Sequence, residues 1–150
     1  MSHPGSPSTG PGEPADGSHP REPEPSPGQP ILRHQDHTAA EEVGAGNGTR
    51  RQVLLGRDEG PSFHMRRFIM EPGGGMPRHT NEVEHQQYVL KGSAAVGIGD
   101  DVHRVHAGDV LLIPARVPHW YQAEGPEPFE FLCMVPNRED EIRVLDDAGG

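Results

Sequence analysis

The first thirty residues contain no Val, Ile, Leu, Phe, Tyr or Trp. Nine prolines, five glycines and five serines fill much of that stretch instead. Without large apolar side chains a segment cannot bury enough surface to offset the entropy of ordering it. This excludes a folded domain there and predicts a disordered Pro/Gly-rich N-terminal tail. Residues 31–50 are transitional: Ile31-Leu32 can pack or begin a short helix, but Gly44-Ala45-Gly46-Asn47-Gly48 breaks any pattern, so the tail is drawn over residues 1–50.

Cysteine is nearly absent as well. The single Cys133 excludes an internal disulfide framework and fits a reducing cytoplasm. No apolar run approaches the ~20 residues of a membrane span, and no basic segment leads into an apolar one, so neither membrane insertion nor a signal peptide is expected. Positive charge is also in short supply. Three Arg face seven acids in residues 1–50, ten Lys/Arg face sixteen acids beyond, and the net charge is −10. A chain acidic in both parts is not expected to bind a phosphate backbone, so no nucleic-acid partner is expected.

What remains is room for one small domain over residues 51–137, followed by an acidic C-terminal extension at 138–150. From Arg51 onward short apolar runs alternate with Gly, Pro and Asp. They are Gln52–Leu55, Phe63–Met70 (ending at Glu71-Pro72-Gly73-Gly74-Gly75), His85–Leu90, Ala94–Ile98, Val102–Val105, Val110–Ile113, Trp120–Ala123 and Phe129–Val135. Short runs at this spacing, with Gly99-Asp100-Asp101 suited to a tight hairpin, predict an all-β sandwich or barrel. No segment in this region offers a long helical apolar period.

Ten histidines are the unusual abundance. His3, His19, His34 and His37 fall in the tail, where they read as solvated. His64, His103 and His106 read as surface residues. In RHTNEVEHQQYVLKG, residues 78–92, His79 and position 81 share a strand face, and His85 keeps that parity if the chain stays extended. His119 opens another strand after Pro118. Two neighbouring imidazoles plus one from a distant strand is a common way to assemble a mononuclear metal site with open positions. Two solvated histidines on a surface turn are the competing reading of the same spacing.

These residues give the chain its resemblance to a small single-domain, type-2 bacterial member of the cupin superfamily. The family's first motif is Gly, five residues, His-x-His, three or four residues, Glu, six residues, Gly. Here Gly73 is followed after five residues by His79, and His85 after six by Gly92. The second motif is Gly, five residues, Pro-x-Gly, two residues, His, three residues, Asn. Gly108 leads after five residues to Pro114, with His119 at the histidine position. Fifteen residues separate Gly92 from Gly108, as in compact cupins. His79, Glu84, His85 and Phe131-Leu132-Cys133 also resemble a subgroup whose metal site is all histidine.

The resemblance implies a jelly-roll β-barrel holding one divalent metal ion per chain on His79, His85 and His119. His85 stands where most cupins carry Glu. Asn81 stands where the second His would be, and its neutral amide oxygen is a weak fourth donor that leaves the site open. Arg116 replaces the turn glycine, and Ala123 the final Asn. Imidazole suits Zn, Cu, Fe and Ni alike. The resemblance ranks Fe or Mn slightly ahead, with Zn, Ni and Cu open.

Alternation places Phe129, Phe131, Cys133 and Val135 on one face of their strand, making Phe131 and Cys133 pocket candidates or plain core. One of Arg66 and Arg67 must face inward. Arg66, with Phe68, is the pocket candidate, able to bind a carboxylate; the alternative is a rim ion pair with Glu71 or Glu130. Gln87 shares parity with His85 and can meet a ligand. Tyr88 and Trp120 can wall the pocket or meet a second subunit. The expected function is a metal-dependent enzyme, of dioxygenase or Lewis-acid isomerase type, acting on a small anionic or chelating metabolite; the alternative is a non-catalytic binding or sensing cupin. A homodimer is implied by the resemblance, with Ile69, Val117 and Trp120 as exposed contacts. A weaker reading makes Pro23-Glu-Pro25-Ser-Pro27 a tether for a partner.

Overall fold

The computed structural model describes residues 29–146. The reading of residues 1–28 as a tail lies outside them. Within the described chain one 3-10 turn, Gln35–His37, precedes ten strands. They are β1 (Glu41–Glu42), β2 (Asn47–Leu55), β3 (Phe63–Thr80), β4 (His85–Lys91), β5 (Ser93–Ile98), β6 (Asp101–His106), β7 (Val110–Ile113), β8 (His119–Glu124), β9 (Phe129–Pro136) and β10 (Arg143–Val144). The all-β expectation holds, and the Gly99–Asp100 turn joins β5 to β6 in the register Ile98↔Asp101.

One long strand holds the architecture together. The Phe63–Met70 half of β3 lies between β2 and β9, whereas its Gly75–Thr80 half pairs with β8 and β10. The resulting order is β6-β5-β8-β3-β9-β4-β7, with β2 and β10 added beside β3. Strands on either side of that crossing curl over a shared core of Met70, Val89, Val96, Ile113, Phe129 and Phe131. This is the jelly-roll arrangement.

The sequence reading ended a strand at Glu71–Gly75. In the structure the strand continues through this stretch, with Gly73 at φ 81, so one strand serves both halves of the curled sheet. Gly75 permits the crossing: a Cβ at this position would lie 2.0 Å from the Tyr121 carbonyl oxygen. Only a residue without a side chain lets the two backbones approach this closely.

The boundaries drawn at residues 51 and 137 also move. β2 begins at Asn47, and Gln52 Nε2 donates to the carbonyls of Gln35 (2.9 Å) and Thr38 (2.8 Å), fastening the earlier segment to the barrel. At the other end β10 pairs Arg143 with Thr80 and Val144 with His79. Both additions rest on contacts between residues far apart in the chain, which local composition does not encode. Ile69 is buried, Val117 packs against the core and the Trp120 indole covers Gly97, so these three are not the exposed contacts anticipated. The exposed apolar side chains on this part of the barrel are Tyr88, Leu90, Val110 and Leu112.

Candidate metal and ligand site

Most of the buried polar side chains gather in one place. His79, Asn81, His85, Gln87 and His119 are all at most 7% exposed, and all line a single cavity of about 170 Å³. Strand geometry explains the convergence. Burial alternates along β4 so that His85, Gln87 and Val89 face inward, and along β8 so that His119, Tyr121 and Ala123 do.

β3 needs an additional device. Met76 pairs with Tyr121 and His79 with His119, so three steps along β3 match two along β8. The extra residue makes a bulge at Pro77-Arg78, which turns His79 onto the same face as Met76. In a regular strand those two side chains would point to opposite faces.

The His79 and His119 rings come to 4.1 Å between centroids, and those of His85 and His119 to 5.6 Å. His79 Nδ1 lies 2.7 Å from the Pro77 carbonyl, and His119 Nδ1 lies 2.9 Å from that of Val117. A carbonyl can only accept, so each Nδ1 carries the proton and each Nε2 keeps its lone pair. Nε2 of His85 and of His119 is buried without a partner among the described residues. Leaving such groups unsatisfied costs about 1–3 kcal/mol each.

Burial, followed by the positive field of Arg66, pushes the His85 pKa down to about 3. Burial, followed by His79, pushes His119 down to about 4. Burial also lowers that of His79, against the bond to Pro77. The rings are therefore neutral at pH 7 and hold unprotonated nitrogens. By chemistry, neutral imidazole nitrogens are donors that a divalent cation accepts, and the Nδ1–H bonds of His79 and His119 are of the kind that orient such ligands. As the side chains stand, no group of three or more His, Cys, Asp or Glu among the described residues is placed to hold a metal ion, so His79, His85 and His119 would have to draw closer to share one.

Asn81 lies just past β3, and its Nδ2 donates to Asp140 Oδ2 at 2.8 Å. Arg66 faces the cavity, with its guanidinium 5.1 Å above the Phe68 ring and Nη2 3.4 Å from Cys133 Sγ. Arg67 takes the other face and pairs with Glu130 at 2.9 Å, so each arginine adopts one of the two anticipated arrangements. Phe68 and Phe131 line the cavity and stack at 5.1 Å; Tyr121 stacks on the far side of Phe131 at 5.2 Å.

Gln87 is committed within the protein. Its amide straddles the Tyr121 hydroxyl, 2.7 Å from Nε2 and 3.0 Å from Oε1. Cys133 requires a correction: it is fully buried behind the wall, not part of it, with Sγ 3.5 Å from His85 Nδ1. Burial raises its pKa, which keeps the thiol protonated. Tyr88 is exposed and does not wall the cavity, and neither does Trp120. Glu82 is exposed and pairs with Arg116, which adopts φ 66, the left-handed conformation suited to the motif's glycine.

The sequence reading missed several wall residues. Arg51 is on β2, Met70 and Met76 are on β3, and Val43, Asp140 and Ile142 come from the segments assigned to the tail and the extension. Pro77 within a strand was a usable signal for the bulge. Nothing local marks Asp140.

The comparisons with known proteins agree with this architecture. The sequence profile of the cupin domain matches residues 66–135. A cupin 2 domain-containing protein from Halorhodospira halophila is 36% identical, with a TM-score of 0.63, over 67% of this chain and 72% of that one. The chain belongs to the cupin family. This cupin also superposes on the polyketide cyclase RemF from Streptomyces resistomycificus with a TM-score of 0.73 and 25% identity, over 81% of this chain and 89% of the other. Acireductone dioxygenase 1 of Pectobacterium atrosepticum is 31% identical over 68 residues, which is 43% of this chain. The cupin spans 39% of the length of that curated relative. Among the described residues no helix is long and apolar enough to cross a membrane.

Proposed function

We propose that this cupin is a mononuclear metalloenzyme acting on a small anionic or chelating metabolite. One observation carries the reading: the Nε2 atoms of His85 and His119, that of His119 unprotonated, are buried with no partner among the described residues, beside a cavity that two arginines also line. His79, His85 and His119 would hold one divalent ion per chain. Asn81 would be a weak fourth donor. Fe or Mn is slightly preferred over Zn, Ni or Cu. A bound ion would supply Lewis acidity, or redox chemistry of the dioxygenase type if it is iron.

The chain's own residues do the rest. Carbonyls of Pro77 and Val117 fix the two imidazole tautomers, and Cys133 abuts the third ring. Arg66 adds positive charge, which favours an anion. The cavity resembles in volume the roughly 150 Å³ apolar cavity that admits one benzene, so the metabolite is small. Likeness to a polyketide cyclase and to part of a dioxygenase supports an enzyme. The alternative, a non-catalytic small-molecule-binding or sensing cupin, draws its support from Asn81, a weak donor where the family carries histidine.

Elemental analysis of the protein expressed with each metal tests the reading. One equivalent of metal, lost in His119→Ala, is expected, together with oxygen uptake on a diketone or catechol-like compound for the dioxygenase form. Protein that takes up no metal on reconstitution would leave only the binding reading. We also propose a homodimer formed through the exposed β4 and β7 face, and residence in a reducing cytoplasm, where the buried thiol of Cys133 needs no partner.

A further inference from the structure

Four of the five arginines on β2 and β3 divide into two kinds. Arg50 pairs with Glu71 and Arg67 with Glu130. Arg51 and Arg66 line the cavity instead, and neither forms an ion pair among the described residues. Register places Arg51 opposite Phe68 and Val53 opposite Arg66, so the two cavity arginines are diagonal neighbours on one face. Glu41, the cross-strand partner of Arg51 on β1, attracts it electrostatically but forms no ion pair with it among the described residues. Asp140, the acid in the cavity wall, is engaged by Asn81 and by the Glu82 N–H.

Two like charges therefore face one small cavity whose described acid, Asp140, is already engaged by Asn81 and Glu82, in a chain with 23 acids and 13 bases. Arg66 Nε is buried and unpartnered. Burial, followed by repulsion from Arg66, lowers the pKa of Arg51. Such an arrangement is costly in the empty protein and is relieved when an anion enters. The wall beside the guanidinium groups is apolar, made by Phe68, Phe131, Met70 and Met76.

We propose that Arg51 and Arg66 form a carboxylate-binding subsite that selects small monocarboxylates with an apolar body. This rests on the metabolite-binding reading above and names the ligand's chemistry. A planar carboxylate offers about four lone-pair sites to two guanidinium forks. A phosphate ester carries more charge and is usually met by a helix N-terminus or a nest of backbone N–H groups, whereas strands make most of this wall.

Calorimetric titration of the full chain, stripped of metal, with benzoate, pentanoate and neutral benzamide tests the subsite apart from the metal. Benzoate or pentanoate is expected to bind at least about tenfold more tightly than benzamide. Arg51→Gln and Arg66→Gln should each weaken carboxylate binding about 10- to 100-fold, the range for a charge-assisted hydrogen bond, and leave benzamide unchanged. Arg51→Lys should recover part of the loss. Arg51→Gln should melt at or above the parent temperature, which separates lost binding from lost folding. Equal affinity for benzoate and benzamide, or no carboxylate binding, overturns the proposal. Carboxylate binding that needs added Zn²⁺ and ignores both arginine variants also overturns it, while leaving the metal reading standing.

Discussion

Asn81 donates from its side-chain Nδ2 to Oδ2 of Asp140, 2.8 Å away and 59 positions later in the chain. A carboxylate only accepts, so the amide nitrogen must face Asp140 and Oδ1 must turn away from it. That Oδ1 is buried without a partner among the described residues, on a residue lining the cavity. Asp140 thus fixes which end of the amide is available to a cation. Asp140→Ala should weaken Zn²⁺ binding about tenfold, the lower end for loss of an outer support, as measured by competition with a chelating dye. Asn81→His should bind metal more tightly than the parent and turn over more slowly, because an imidazole would occupy the open position. Equal affinity in parent and Asn81→His would show that position 81 does not reach the ion.

The buried imidazoles make the metal-free protein sensitive to acid. In the unfolded chain histidine titrates near 6.5, whereas His119 and His85 do so only near 4 and 3 when folded. Between those values the unfolded state binds more protons, so stability falls as the pH drops from about 6.5 towards 4. The combined loss is on the order of a few kcal/mol. Urea midpoints of metal-free protein should decline steadily over this window, and the His85→Gln variant should decline less. A flat profile would mean that the rings are solvated.

Gly75 tests the crossing of β3. Gly75→Ala would drive a Cβ into the Tyr121 carbonyl, and the separation of 2.0 Å cannot be relieved without moving β8. A loss of about 3 kcal/mol in chemical denaturation is expected, at the upper end for overpacking. Because His79 and His119 sit in the same β3–β8 ladder, metal affinity should fall as well. Gly73→Ala, with open space around its Cβ but φ +81, should cost only about 1 kcal/mol.

The proposed dimer face can be tested without touching the cavity. Val110 is 74% exposed and Leu112 57%, on a strand that, among the described residues, pairs only with β4. The double variant Val110→Asp, Leu112→Asp should sediment as a monomer where the parent sediments as a dimer, with an unchanged far-ultraviolet spectrum. A monomeric parent would remove the proposal.

The sequence by itself determined the β class and the inward faces of β4 and β9, because both rest on a two-residue alternation that any short window displays. Spacing between its glycines and histidines pointed to the cupin family. Only the tertiary structure decided that β3 runs through its glycines, that the Pro77-Arg78 bulge re-aims His79, and that Cys133 stands behind the cavity wall. It alone brought Arg51 beside Arg66 and Asp140 against Asn81. These are pairings between residues far apart in the chain, and their register is set by which strands lie side by side, a choice no local pattern records.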